Sequence, residues 1–115
     1  MEKITVYEKP TCKTCRKVVN ILKEKGIEFE DINYYINPFT KEQLQKLLKK
    51  MDMNPGGLLR KNEQAYKQLD IKELSEEQIL DLMLENNDLI QRPIVEKGNK
   101  AILARPPEKI YELFN

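Results

Sequence analysis

Apolar residues fall at alternate positions from Ile4 to Tyr7, the two-residue period of a short strand, and Lys9-Pro10-Thr11 interrupts it. From Cys12 the period changes to that of a helix. Val18, Val19 and Leu22 share one face, and Gly26 stands where a helix C-terminus favours glycine. Glu28 to Tyr35 alternates again, with Phe29 and Ile32 among its apolar positions, so the first third of the chain reads as a βαβ unit. Thr40-Lys41-Glu42-Gln43 is a capping box. Leu44, Leu47, Leu48 and Met51 follow it at helical spacing, and Asn54-Pro55-Gly56-Gly57 breaks the run. A short helical piece is expected over Glu63 to Leu69. A second capping box, Ser75-Glu76-Glu77-Gln78, opens a helix with Ile79, Leu82 and Met83 on one face, ended by Asn86-Asn87-Asp88.

Beyond Arg92-Pro93 the pattern is that of a hairpin. Its arms are Pro93 to Glu96 and Ala101 to Ala104, turning at Gly98-Asn99. Pro106 and Pro107 suit the first turn of a last helix, with Ile110, Leu113 and Phe114 inward. The order βαβ, helical block, ββα predicts an α/β protein of thioredoxin-like fold, a single domain over 1–115 with an all-helical insertion at about 40–86.

Composition narrows the function classes. The chain has 115 residues, enough for one domain, and 20 Lys plus Arg against 19 Asp plus Glu, a net charge of +1. That balance lacks the basic excess on which nucleic-acid and membrane-surface binders rely. No apolar run approaches the roughly 18 residues of a membrane helix, and the first seven residues lack the apolar stretch of a signal peptide. The expectation is a soluble cytoplasmic protein without membrane or direct nucleic-acid contacts, and size alone favours a monomer. There is no histidine, which removes imidazole-based hydrolases, metal sites and pH switches.

The two cysteines, Cys12 and Cys15, are spaced C-x-x-C. Two thiols are too few for an all-cysteine zinc site within one chain, so neither a metal nor a bound cofactor is expected. A strand turning through these residues into a helix puts Cys12 at the helix N-terminus, where free N–H groups and the helix dipole favour a thiolate. Cys12 is then the nucleophile and Cys15 the candidate resolving thiol. Arg16 adds positive potential, whereas Glu8 would raise the pKa of a thiol beside it. The alternatives are two buried thiols that happen to lie three apart, and a zinc site shared between chains.

Three arginines stand where anions could bind: Arg60 after Gly56-Gly57-Leu58-Leu59, Arg92 before Pro93, and Arg105 before Pro106. In a thioredoxin fold the proline that begins the third strand faces the C-x-x-C turn, usually across a cis peptide bond, which brings Arg92 beside the thiolate and Arg105 to the same edge. Guanidinium forks suit tetrahedral oxyanions, although each arginine taken singly could be a solvated surface residue.

The chain resembles the glutaredoxin-coupled arsenate reductases, the ArsC family, with the related Spx-type regulators. The resemblance rests on Ile4-Thr5-Val6-Tyr7, Pro10-x-Cys12, Leu58-Leu59-Arg60-Lys61-Asn62, Gln91-Arg92-Pro93-Ile94-Val95 and Ala104-Arg105-Pro106. It implies an enzyme in which Cys12 attacks arsenate while Arg60, Arg92 and Arg105 hold the oxyanion. Electrons would come from glutathione and glutaredoxin, or from a thioredoxin-like partner that recycles a Cys12–Cys15 disulfide. Many family reductases carry histidine where Glu8 stands and need only the first cysteine, while Spx-type regulators share the C-x-x-C. The alternatives are therefore a redox-sensing regulator that binds RNA polymerase and a general dithiol–disulfide oxidoreductase.

Overall fold

A computed structural model describes residues 3–60 and 73–114, so the helical piece expected over Glu63 to Leu69 lies outside the described residues. The chain divides into two units, one of Met1–Asn37 with Arg92–Asn115, the other of Pro38–Gln91.

The first unit is built on a four-stranded sheet. Strand β1 (Ile4–Glu8) pairs in parallel with β2 (Glu30–Asn33) and antiparallel with β3 (Ile94–Lys97), which pairs antiparallel with β4 (Lys100–Leu103). The strand order is β2-β1-β3-β4, the thioredoxin-like arrangement expected from the sequence. Helix α1 (Lys13–Glu24) connects β1 to β2. Its inward residues Cys15, Val18 and Leu22 are fully buried, and Val18 and Leu22 meet Ile4, Val6, Val95, Ile110 and Leu113 in one cluster. Burial of a side chain such as Leu22 contributes about 1.5–3 kcal/mol. Gly26 ends α1 in the left-handed region at φ 68°, where its N–H bonds to the Lys23 carbonyl and that of Ile27 to the Leu22 carbonyl.

Two expected elements differ in extent or type. β2 is four residues long instead of running from Glu28 to Tyr35; beyond its end the Tyr34 N–H still reaches the Glu8 carbonyl at 3.4 Å, and Tyr34 and Tyr35 pack at the site described below. The last helix is a 3-10 helix, Pro107–Leu113, with no side-chain cap. Ile110 and Leu113, three apart, share one side of a helix with three residues per turn, so both stay buried.

In the second unit, α2 (Lys41–Lys50) and α4 (Glu76–Glu85) begin with the two expected capping boxes. Between them in sequence, Asn54 caps the one-turn helix α3 (Pro55–Leu58), accepting the Gly57 N–H at 2.9 Å. Asn54-Pro55-Gly56-Gly57 therefore starts a turn of helix as well as separating it from α2. A β-carbon on Gly57 would stand 2.9 Å from the Met53 side chain, which would have to move to admit it. The buried side of α4 is Ile79, Leu80 and Met83, with Leu82 only half-buried; the run Ile-Leu-Asp-Leu-Met-Leu offers apolar groups on several faces, and packing selects the stripe. Among the described residues no helix is long and apolar enough to cross a membrane.

Candidate active site

Cys12 is the N-cap of α1. Its Sγ accepts the backbone N–H of Cys15 at 3.3 Å, and its own N–H bonds to the Lys9 carbonyl across the turn. Neither cysteine is in a disulfide, and Cys12 is half-buried while Cys15 is fully buried. Burial works against a Cys12 thiolate. Hydrogen bonds from the Cys15 side chain and backbone, then the Arg92 guanidinium, outweigh it and hold the thiol below its ordinary pKa. Cys15 moves the other way: burial first, then its hydrogen bond with Cys12 and the charges of Cys12 and Glu8, push it far up. The two thiols are thus shifted in opposite directions, Cys12 toward its thiolate and Cys15 toward its protonated form.

Arg92 stands at the start of β3, joined to Pro93 by a cis peptide bond, and only 6% of it is exposed. Its Nη1 donates to the Tyr35 hydroxyl at 3.2 Å, and its charge lies 5.9 Å from the Tyr35 ring centroid. Its Nε is buried and has no hydrogen-bond partner among the described residues. Arg105, also followed by a cis proline, donates from Nη1 to the Arg92 carbonyl at 3.0 Å. Lys9 places its ammonium 4.5 Å from the opposite partner of this group, the Tyr35 ring. The first unit thus brings Cys12, Cys15 and Arg92 together, while Arg105, an exposed residue, reaches the Arg92 backbone carbonyl. Arg60 belongs to the second unit, where its backbone N–H bonds to the Leu89 carbonyl at 2.7 Å beside the Leu59–Ile90 bridge.

Tyr34 and Tyr35 were not among the expected site residues. Tyr34 is fully buried and in hydrogen-bonding and charge contact with Arg92; burial pushes its phenol up to about 12, so it is neutral at pH 7. The adjacent pair of tyrosines at the end of a strand is a signal of a kind, but strand periodicity absorbs it. Glu8, expected to oppose Cys12, is itself buried, and its charge bears on Cys15.

A model of the ArsC family matches residues 7–113. The chain belongs to the ArsC family. It is 37% identical over 115 residues to the Escherichia coli K12 protein YfgD, with 97% of each chain covered. It is 36% identical over 116 residues to an arsenate reductase of Escherichia coli, covering 99% of this chain and 82% of that one. Among solved structures, an arsenate reductase from Vibrio cholerae superposes with a TM-score of 0.90 at 30% identity, covering 96% of this chain and 97% of the other.

Proposed function

We propose that the protein is an arsenate reductase in which Cys12 is the nucleophile. The observation that carries this reading is the pairing of a Cys12 thiol held below its ordinary pKa with Arg92, a buried cation whose Nε has no hydrogen-bond partner among the described residues. An N–H buried in that way costs free energy unless something accepts from it, and a tetrahedral oxyanion does. Arg92 and Arg105 then hold arsenate and stabilise the charge on its oxygens. Arg60 enters on its motif, Leu58-Leu59-Arg60, and the resemblance to family reductases.

Cys12 thiolate attacks arsenic, and one arsenate oxygen leaves as water after taking up protons, which gives a sulfur–arsenic bond. A second thiol then attacks the Cys12 sulfur. The S–As bond breaks with its electron pair going to arsenic, so arsenic(V) leaves as arsenite and the two sulfurs are oxidised to a disulfide. Cys15 is the internal second thiol, and a thioredoxin-like partner recycles the resulting disulfide; glutathione with glutaredoxin is the external route. Arsenate turnover by the purified protein, measured separately with glutathione plus glutaredoxin and with thioredoxin, tests the reading. No arsenite with either donor overturns it.

A general dithiol–disulfide oxidoreductase is the second reading, favoured by the hydrogen bond that holds Cys15 N–H on Cys12 Sγ. It expects protein disulfides to be reduced or formed at rates that do not depend on Arg92 or Arg105.

A further inference from the structure

Glu8, at the end of β1, is buried with 5% exposure; its carboxyl is in hydrogen-bonding contact with Asp31, and its Oε2 has no hydrogen-bond partner among the described residues. A carboxyl so placed is a stability liability, and neither substrate binding nor the attack by Cys12 uses it. Its position follows from strand and helix periodicity. Ile4, Val6 and Glu8 alternate onto one face of β1, and Ile4 and Val6 belong to the cluster that receives Val18 and Leu22 of α1. Cys15, Val18 and Leu22 form the inward stripe of α1. Because α1 runs back antiparallel to β1 after the turn at Lys9 to Cys12, the last residue of the strand lies under the first turn of the helix. Glu8 is therefore on the face, and at the end, where Cys15 is buried.

Cys15 is fully buried, yet to form a disulfide it has to lose a proton. Glu8 also lines an open pocket of about 240 Å³ with Pro10, Arg16, Val19, Asn20 and Lys23, a pocket that Cys15 does not line, so a proton on Glu8 has a short way to solvent. We propose that Glu8 is the proton acceptor for Cys15, taking the Sγ proton as Cys15 attacks sulfur and passing it to water in that pocket. This rests on the resolving role given to Cys15 above. In the step, the Cys12–Cys15 S–S bond forms and the bond from Cys12 Sγ to its adduct breaks with the electron pair going to the leaving group. The Cys15 proton goes to the Glu8 carboxylate, and the reverse transfer accompanies reduction. Burial, and then Asp31 on β2, raise the Glu8 carboxyl to about 7, against the opposing charges of Arg16 and Lys23 on α1. A base matched to neutral pH is well suited to this transfer.

The test uses one equivalent of a nitrobenzoate aromatic disulfide that releases a coloured thiolate. Cys12 releases the first thiolate, and Cys15 releases the second by displacing the adduct. In the wild type the rate of the second phase should rise with pH and level off near pH 7. In Glu8→Gln the ratio of second-phase to first-phase rates should fall about tenfold or more at pH 7, with a profile that climbs unbroken into the alkaline range. Glu8→Asp should recover part of the loss. The sign is decisive, because a carboxylate that merely sits near Cys15 hinders its ionisation and its removal would speed the second phase. A second phase in Glu8→Gln as fast as the wild type or faster, or a wild-type profile with no break near neutrality, overturns the inference. A wild type that releases no second thiolate overturns it together with the resolving role of Cys15, while leaving arsenate reduction through glutathione standing.

Discussion

The N-termini of α1 and α2 share one hydrogen-bond pattern and use it for different ends. In α2 the Thr40 hydroxyl accepts the Gln43 N–H at 3.1 Å, and the Gln43 side chain returns the bond to the Thr40 N–H at 3.0 Å. In α1 the Cys12 sulfur accepts the Cys15 N–H at 3.3 Å. C-x-x-C thus occupies the same N-cap and N3 positions as T-x-x-Q. At α2 the exchange satisfies two orphan donors and stabilises the helix; at α1 the cap atom is a thiol sulfur, and the same N–H favours its ionised form. Glu42 lies in the first turn of α2, whereas the first turn of α1 has no acid to compete with a thiolate for the helix dipole. A capping position is therefore a reactive position once its oxygen is replaced by sulfur.

Cys12→Ser separates the two uses most sharply. Serine is a good N-cap, so the variant should unfold within about 1 kcal/mol of the wild type. It should nevertheless lose all measurable thiol-dependent turnover. Denaturant titration and arsenite formation are the measurements, and residual turnover would move the nucleophile elsewhere.

Arg92→Ala comes next. It removes the cation from Cys12 and from the substrate oxygens, so Cys12 alkylation should shift to higher pH. Arsenate protection against alkylation should weaken by roughly tenfold to a hundredfold, corresponding to about 1.5–3 kcal/mol for a charge-assisted contact. Arg92→Lys should recover part of this, since an ammonium lacks the planar fork. Arg105→Ala and Arg60→Ala, titrated alongside, decide whether those residues share the site. Four indistinguishable curves would dismiss the oxyanion set.

How far the sequence foretells these features depends on how local they are. Both capping boxes and the cysteine cap are set by residues three apart, and all are where the pattern puts them. The hairpin turn at Gly98-Asn99 is equally local, with Gly98 at φ 57° and Lys97 paired to Lys100 on either side. The surroundings of Arg92 are not local: Tyr35 is 57 positions away in sequence, and nothing in the alternation of Glu28 to Tyr35 says that the strand stops at Asn33 so that two tyrosines can turn toward an arginine. The same holds for Glu8, whose role depends on which helix face lies above it. Periodicity locates the cysteine cap, and tertiary packing chooses its neighbours.

The contrast extends below the helix. The carboxylate near α1 comes from β1 and is buried, while Glu42 of α2 is exposed. A carboxyl at about 7 in the folded state and 4.5 unfolded binds its proton more tightly when folded. Its contribution to stability is full below pH 4.5 and is lost as pH rises through about 7. Wild-type unfolding free energy should therefore fall between pH 5 and 8, by up to about 3 kcal/mol for a shift of this size. Glu8→Gln should flatten that fall. Parallel pH profiles for the two proteins would mean that the carboxyl is ionised at no cost, contrary to its burial.

The smallest expected effect is at the other ends of the same two helices. Both finish with a residue in the left-handed region, whose N–H and that of the next residue bond back to carbonyls of the last turn. In α1 that residue is Gly26. In α2 it is Asp52 at φ 53°, bonded to the Lys49 carbonyl, with Met53 bonded to that of Leu48. A side chain in this conformation is strained by contact between its β-carbon and the following carbonyl, at about 1–2 kcal/mol, less for aspartate than for most residues. Asp52→Gly relieves that strain but makes the unfolded chain more flexible, which offsets part of the gain. It also removes an acid from the negative end of the helix dipole, a further few tenths of a kcal/mol in its favour. The net expectation is a stabilisation of about 0.5 kcal/mol with arsenate turnover unchanged. Gly26→Asp should destabilise by a similar or larger amount, since it imposes on α1 the strain that α2 already carries. Opposite signs in the two unfolding titrations would show that the helix ends are equivalent and only the residues differ. Equal signs would mean that the surroundings of each end, rather than its backbone, set the preference.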